Sequence, residues 1–276
     1  MFTRAQPVAA VRLAVLGDPI AHSRSPELHR AALAALGLAG DSRAVRTTVA
    51  GLGTTLAALA AEGVHGVNLT HPLKEAALAH VARVSDAARR ARSINTIGFA
   101  PEGAWGDTTD GAGFVDLLAE LGEDSRGARV VLLGAGGAAR SLALALGAAG
   151  ATDVAASART PDRAGEAWRE IPGARLVGWR SRDEAEALAA ATIVVNATPI
   201  AGDDPAPIAA IAREALIVDL VYGDLITPWV ARARADLRRA HDGLGLLVMQ
   251  ARHSLARWLG RPVPLEPLAR AVGWPR

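Results

Sequence analysis

Cysteine is absent from the 276 residues, which excludes disulfides and thiolate metal sites. No apolar run approaches the ~18 residues that span a bilayer, so no membrane segment is expected. The opening stretch, MFTRAQPVAAVRLAVLGDP, lacks a long apolar segment ending in a cleavage site, so no secretory signal is expected and the cytoplasm is the expected compartment. Net charge is only +2. The densest basic run, ARRARSI near residue 90, is too sparse for a nucleic-acid surface and reads as a solvated helix face. His22, His29, His65, His71, His80, His241 and His253 form no metal-ligand spacing, so no metal site is expected. What remains is a chain that is 50% apolar, long enough for two modest domains or one large one.

Lysine, asparagine, tyrosine and glutamine are almost missing, replaced by Ala and Arg, and the exceptions are informative. Lys74 is the only lysine, Tyr222 the only tyrosine, and Asn68, Asn95 and Asn196 the only asparagines. Gln250 is one of two glutamines. Arginine supplies positive charge but does not readily give up a proton. A lone lysine in an arginine-rich chain marks a place that needs a titratable amine or a compact ammonium.

Along the chain, β-rich apolar runs (VRLAVLG, HGVNL, RVVLLG, TDVAAS, ATIVVNA, ALIVDLV) alternate with Ala/Leu-rich stretches of helical spacing. That alternation implies parallel sheets covered on both faces. A boundary is expected near Asp110, where the helical stretch GAGFVDLLAELG leads to a fresh strand. The final amphipathic stretch, GLGLLVMQARHSLARWLG, is expected to return to the first domain. The strand RVVLL runs straight into Gly134-Ala135-Gly136-Gly137-Ala138-Ala139 and then a helix. This is a dinucleotide fingerprint in its strand–turn–helix context. Gly134 permits the turn, Gly136 lets the backbone approach a pyrophosphate, and the helix N-terminus presents free N–H groups. One strand later, an NAD site carries an acid roughly 20 residues on. Here the strand ends Ala158-Arg159-Thr160, with Arg163 a turn further and no acid at the tip. Guanidinium matches phosphate, so NADP(H) is the expected cofactor.

Polar clusters stand at the strand ends, where open α/β sheets bind ligands. They are Gly17-Asp18-Pro19-Ile20-Ala21-His22-Ser23-Arg24-Ser25-Pro26, Gly66-Val67-Asn68-Leu69-Thr70-His71-Pro72-Leu73-Lys74, Ser93-Ile94-Asn95-Thr96 and Gly106-Asp107-Thr108-Thr109-Asp110-Gly111. With the glycine loop, Arg159-Thr160, Asn196-Ala197-Thr198-Pro199, Asp219-Leu220-Val221-Tyr222 and Leu247-Val248-Met249-Gln250-Ala251, they follow one another as in the shikimate dehydrogenase family, which the sequence resembles over nearly its whole length. The resemblance implies an α/β protein of two domains. Residues 1–109 with 245–276 would bind substrate, and 110–244 would form a Rossmann-type NADP-binding domain. It implies Lys74 and Asp110 as the catalytic pair, each a candidate to carry the proton. Ser23, Ser25 and Tyr222 would hold the substrate carboxylate. Asn68, Thr70, Asn95 and Gln250 would meet ring hydroxyls or that carboxylate. Gly134, Ala135, Gly136, Gly137, Ala138, Arg159, Thr160, Arg163, Ala197 and Thr198 would bind cofactor. The implied reaction is NADPH-dependent reduction of 3-dehydroshikimate to shikimate, by a monomer or homodimer whose partners are small molecules.

Three departures bear on cofactor affinity and turnover rather than reaction class. Thr108 stands where the family has Asn in the loop carrying Asp110. Ala158 replaces an Asn before Arg159. Pro199-Ile200-Ala201-Gly202 is a residue longer than usual and lacks a Met. Two alternatives stay open at this point: a quinate or aminoshikimate dehydrogenase on the same scaffold, and a non-catalytic NADP-binding regulator. The family pairing of Ser23 with Ser25 favours shikimate, and an intact Lys74–Asp110 pair argues against a regulator.

Overall fold

A computed structural model describes residues 10–200 and 204–276, without the side chain of Arg163. The expected Arg163 contact and the Ala201-Gly202 insertion therefore lie outside the described residues. Among those residues two six-stranded sheets form. The first contains β1 (Val11–Gly17), β2 (Gly40–Arg46), β3 (Gly66–Leu69), β4 (Arg83–Val84), β5 (Thr96–Gly98) and β6 (Trp105–Asp107), in the order β2-β1-β3-β5-β6-β4. The second contains β7 (Arg129–Leu133), β8 (Asp153–Ala158), β9 (Ala174–Gly178), β10 (Ile193–Asn196), β11 (Leu216–Asp219) and β12 (Ala240–His241), in the order β12-β11-β10-β7-β8-β9.

The second sheet is parallel throughout, as the strand–helix alternation predicts. Its central strands are continuous apolar runs because both faces are covered. Val130 and Leu132 of β7 enter one core, while Val131 and Leu133 enter the other. The first sheet corrects the expectation of purely parallel sheets, since β5 runs antiparallel to both β3 and β6. A two-residue or three-residue strand such as β4, β5 or β6 has too little length to show a period of two. The edge strand β2, GDSRAVR, is largely exposed and polar, so it carries no apolar run.

The two sheets share one core. Val11 and Leu13 of β1 belong to the same apolar cluster as Val130 and Leu132 of β7. Phe114, Leu117, Leu142, Val248 and Leu255, from three helices between the sheets, complete it. Each such buried side chain contributes about 1.5–3 kcal/mol relative to an exposed one. The helix Asp110–Glu120 lies between Gly137–Ala148 and Leu244–Leu259. Its glycines make that approach possible: a Cβ on Gly111 would stand 2.2 Å from the Ser141 carbonyl oxygen, and one on Gly113 would stand 2.6 Å from the Gln250 amide nitrogen.

The C-terminal helices return to the first sheet. Trp258 donates its indole N–H to the Ile97 carbonyl at 2.9 Å. Arg24 reaches the carbonyls of Val272 at 2.9 Å and Ala271 at 3.3 Å, tying the loop after β1 to the helix Leu265–Val272. No helix among the described residues is long and apolar enough to cross a membrane.

Candidate active site

The two catalytic candidates come from two segments that follow strands of the first sheet. Lys74 sits on the single turn Leu73–Ala76 after β3, and Asp110 opens the helix that follows β6. A carboxylate in a first helical turn is favoured by the free N–H groups there. Lys74 Nζ donates to Asp110 Oδ2 at 2.6 Å, with side-chain exposures of 21% and 6%. The lysine thus keeps a face towards solvent while its carboxylate partner is enclosed. Asp110 Oδ1 accepts from Asn95 Nδ2 at 2.8 Å, so both oxygens of this buried carboxylate are bonded. Asn95 Nδ2 also approaches Gln250 Oε1 at 3.3 Å, and Gln250 Nε2 is anchored on the Leu247 carbonyl at 2.8 Å. Lys74 is fixed at its backbone as well, since its carbonyl accepts from the Ile94 amide at 2.8 Å.

Asn68, expected as a substrate contact, is buried. Its carboxamide is turned inwards and fully engaged: Nδ2 donates to Ser254 Oγ at 2.9 Å and to the Asn95 carbonyl at 2.9 Å. Its Oδ1 lies 3.0 Å from His29 Nε2, whose Nδ1 lies 2.8 Å from Ser42 Oγ. Because the amide N–H groups of Asn68 point elsewhere, Oδ1 is the acceptor and His29 carries its proton on Nε2. Burial lowers the His29 pKa to about 4, so this imidazole stays neutral. Asn68 braces the Asn95 segment rather than facing outwards.

The Ser23–Ser25 loop follows β1. Ser25 N donates to Ser23 Oγ at 3.4 Å, which places the two serines on one turn. Tyr222 comes to them from the loop after β11. Burial pushes its hydroxyl above the usual phenol range, while the Arg24 backbone and the Ser23 side chain beside it oppose that shift. The phenol is therefore a neutral donor. Thr70 packs its methyl group onto Gly17, where a Cβ would meet it at 2.3 Å.

On the second sheet the fingerprint residues occupy the turn between β7 and the helix Gly137–Ala148. Gly134 has φ +112°, and a Cβ there would stand 3.0 Å from both the Ala197 carbonyl oxygen and Thr198 Cγ2, so glycine is required. At Gly136 a Cβ would face open space. Ala135 and Ala138 flank these positions, and Arg159 and Thr160 are exposed at the end of β8. Asn196 is buried and serves as a brace. Its Oδ1 accepts from the Thr198 amide at 3.0 Å, and its Nδ2 donates to Asp219 Oδ1 at 2.8 Å, which fixes the Ala197-Thr198 turn. An exposed guanidinium at the tip of β8, no acid there, and backbone open to close approach at Gly136 together fit a phosphorylated dinucleotide.

One of the three departures has a visible structural outcome. Thr108, in place of the family's Asn, is buried and donates to Ser141 Oγ at 2.9 Å, which ties down the loop carrying Asp110. Beside it, Asp107 ends β6 and accepts from Ser85 and Arg257. Sequence reasoning missed Ser254, which is fully buried and bonded to Asn68 and to Thr96 at 2.7 Å. The available signal was its place one helical turn after Gln250, on the same face.

Residues 15–97 match the shikimate dehydrogenase substrate binding domain family, and residues 129–223 match the family described as NADP oxidoreductase coenzyme F420-dependent. The NADP(+) shikimate dehydrogenase of Xanthomonas euvesicatoria pv. vesicatoria is 40% identical over 269 residues, covering 95% of each chain. That of Acidiphilium cryptum is 42% identical over 263 residues, covering 94% of each. The crystal structure of shikimate 5-dehydrogenase from Thermus thermophilus in complex with NADP(H) and shikimate superposes with a TM-score of 0.86 at 36% identity, over 95% of this chain and 98% of that one. With such identity carried along nearly the full length, through both sheets and the helices that join them, the chain belongs to the shikimate dehydrogenase family.

Proposed function

We propose that this protein catalyses the reversible NADPH-dependent reduction of 3-dehydroshikimate to shikimate, a step of aromatic amino-acid biosynthesis, in the cytoplasm. The observation that carries the reading is the Lys74–Asp110 pair at 2.6 Å, enclosed on the carboxylate side and open on the amine side. Residues 1–109 with 245–276 take the substrate, and 110–244 take the cofactor. Gly134, Ala135, Gly136, Gly137 and Ala138 cradle the pyrophosphate. Arg159 and Thr160 meet the 2′-phosphate, and Ala197 and Thr198 flank the glycine turn. When bound, NADPH supplies the hydride to the C3 carbonyl carbon.

The residues of the chain handle the oxygen. As charge grows on the C3 oxygen, the Lys74 ammonium stabilises it and donates a proton. Asp110, held by Asn95, keeps the amine aimed and accepts from the neighbouring ring hydroxyl. Ser23, Ser25 and the neutral Tyr222 hydroxyl hold the carboxylate end, with Thr70, Asn95 and Gln250 along the ring. Directional polar contacts of this kind reject analogues that lack the matching group. Quinate carries an extra hydroxyl at the carboxylate-bearing carbon, which the close Ser23–Ser25 turn disfavours.

Steady-state kinetics with shikimate and quinate, each against NADP⁺ and NAD⁺, tests the reading. Shikimate with NADP⁺ is expected to give much the highest kcat/KM. A higher kcat/KM for quinate overturns the substrate assignment, and equal use of NAD⁺ overturns the role of Arg159.

A further inference from the structure

Two adjacent residues of the cofactor-loop helix, Arg140 and Ser141, are buried at 4% and 3% exposure and spend their polar groups across the gap between the two sheets. Arg140 Nε donates to the Ala91 carbonyl at 2.6 Å. One terminal nitrogen donates to the Ala135 carbonyl at 3.1 Å. The other donates to Glu75 Oε1 at 2.6 Å and to the Arg92 carbonyl at 3.2 Å. Those acceptors are not scattered. Glu75 is the residue after Lys74, Ala135 lies in the glycine turn, and Ala91 and Arg92 lead into the Ser93-Ile94-Asn95 segment. Ile94 in turn bonds the Lys74 carbonyl, and Asn95 bonds Asp110. Ser141 serves the other member of the pair. Its Oγ accepts from the Gly111 amide at 2.9 Å, one residue past Asp110, and from Thr108 Oγ1 at 2.9 Å.

One helix therefore grips both arms of the catalytic pair from neighbouring positions, Arg140 on the Lys74 side and Ser141 on the Asp110 side. Glycine keeps the grip close. A Cβ on Gly137 would stand 2.5 Å from Ser93 Oγ, and one on Gly111 2.2 Å from the Ser141 carbonyl oxygen. An enclosed guanidinium satisfied by one carboxylate and three carbonyls fixes its partners in direction as well as distance. We infer that Arg140 and Ser141 are positioning residues that set the Lys74–Asp110 pair against the glycine turn, so that amine and cofactor loop move as one body. This rests on the dehydrogenase reading above.

The test uses the full-length protein with Arg140→Ala, Arg140→Lys, Ser141→Ala and Glu75→Gln. Glu75 is 61% exposed at its side chain, so Glu75→Gln removes the ion pair while the enclosed carbonyl bonds remain and the fold is kept. For Arg140→Ala, kcat is expected to fall about 10²-fold, the scale of a small misplacement of reacting groups. Shikimate KM and NADP⁺ Kd should move less than about threefold. Arg140→Lys should recover part of the loss, and Ser141→Ala and Glu75→Gln should each lower kcat by roughly 3–10-fold. With shikimate deuterated at C3, the isotope effect on kcat should rise in each variant, because a misaligned pair slows the chemical step and not product release.

A second readout does not depend on activity. Lys74 is the only lysine, so modification by an amine-selective reagent, followed by mass spectrometry with the N-terminus resolved separately, reports on its pairing. The rate at Lys74 should increase several-fold in Arg140→Ala and Glu75→Gln. Unchanged kcat, isotope effect and Lys74 reactivity in the folded variants overturns the inference. So does a loss confined to NADP⁺ affinity. If the unmutated protein lacks shikimate activity, the dehydrogenase reading fails instead, and the Lys74 reactivity alone decides whether the coupling exists.

Discussion

The two ends of the proposed site are built in opposite ways. Around Lys74 and Asp110 the polar side chains are enclosed and bonded to one another: Asn95, Thr96, Thr109 and Ser254 are each no more than 2% exposed. Along the proposed cofactor edge the candidate groups are backbone N–H groups, the open space at Gly136 and the exposed Arg159. A reacting amine must be held within a fraction of an ångström, so its support is made of protein. A pyrophosphate and a 2′-phosphate are recognised by charge and backbone approach, which need room more than rigidity. Rate should therefore be sensitive to the first region, and cofactor affinity to the second.

The strongest way to break this contrast is at Lys74. Lys74→Ala should lower kcat by on the order of 10²–10⁴, the usual worth of a positioned acid or base. Substrate KM should move far less, because Ser23, Ser25 and Gln250 remain in place. Lys74→Arg should fail almost as badly, since guanidinium keeps the charge but releases no proton. If Lys74→Ala retains near-normal kcat and loses shikimate affinity, the amine is a binding contact, and Asp110 or water must carry the proton.

Next in size is the acid response of the bonded network. His29 is fully buried, with its pKa lowered from 6.5 to about 4, chiefly by burial. The unfolded chain takes up a proton that the folded chain refuses, so stability is whole above pH 6.5 and drains as pH falls towards about 4. At full extent this is about 3 kcal/mol. His241, lowered in the same direction by burial, adds to the slope. Urea melts across that window should show a falling midpoint, and His29→Gln should flatten the profile. An equal slope in the variant assigns the acid sensitivity elsewhere.

The contrast also explains what could be read from the sequence. The cofactor turn was legible because its signal is local: RVVLL, the glycines and the following helix are consecutive, and Arg159 lies one strand on. Lys74, Asn95, Tyr222 and Gln250 were legible because their residue types are scarce in this chain. That same scarcity marked Asn68, whose amide proved to be a brace between His29 and Ser254. Rarity identifies a position that needs an amide but not which way the amide faces. Arg140 and Ser141 were invisible on both counts, and Ser254 could be marked only by its place one helical turn after Gln250. Arginine is common here and serine is not scarce enough to stand out, and their partners lie far off in sequence, as with Ser254 and Thr96, 158 residues apart. The antiparallel β5 escaped for a third reason, because three residues carry no period.

On the open side, Arg159→Ala should raise the NADP⁺ KM by roughly 10–100-fold, the loss of a charge-assisted contact of about 1.5–3 kcal/mol. The NAD⁺ KM should scarcely change, and neither should kcat at saturating NADP⁺. A parallel rise for both cofactors indicates that Arg159 supports the loop and not the 2′-phosphate.

The smallest expected effect is on stability at Gly136, and it sharpens the comparison within a single turn. Gly134 and Gly136 are two residues apart, yet they are glycine for different reasons. At Gly134 a side chain is opposed by the fold itself, through φ +112° and the Ala197 carbonyl oxygen at 3.0 Å. Gly134→Ala should therefore lower the melting temperature as well as cofactor affinity. At Gly136 the backbone has φ −78°, which any residue adopts, and a Cβ meets nothing within 4 Å. Gly136→Ala should leave the melting temperature of the unliganded protein within about a degree or two, since a surface-type change with no contact is worth less than about 0.5 kcal/mol. Its cost should appear on NADP⁺, as a several-fold weaker Kd, because the methyl group occupies the space through which the pyrophosphate reaches the helix N–H groups. Thermal melts of Gly136→Ala with and without NADP⁺ separate the two. If the unliganded protein is destabilised as much as Gly134→Ala, the second glycine is there for the fold, and the open space beside it is not the cofactor's.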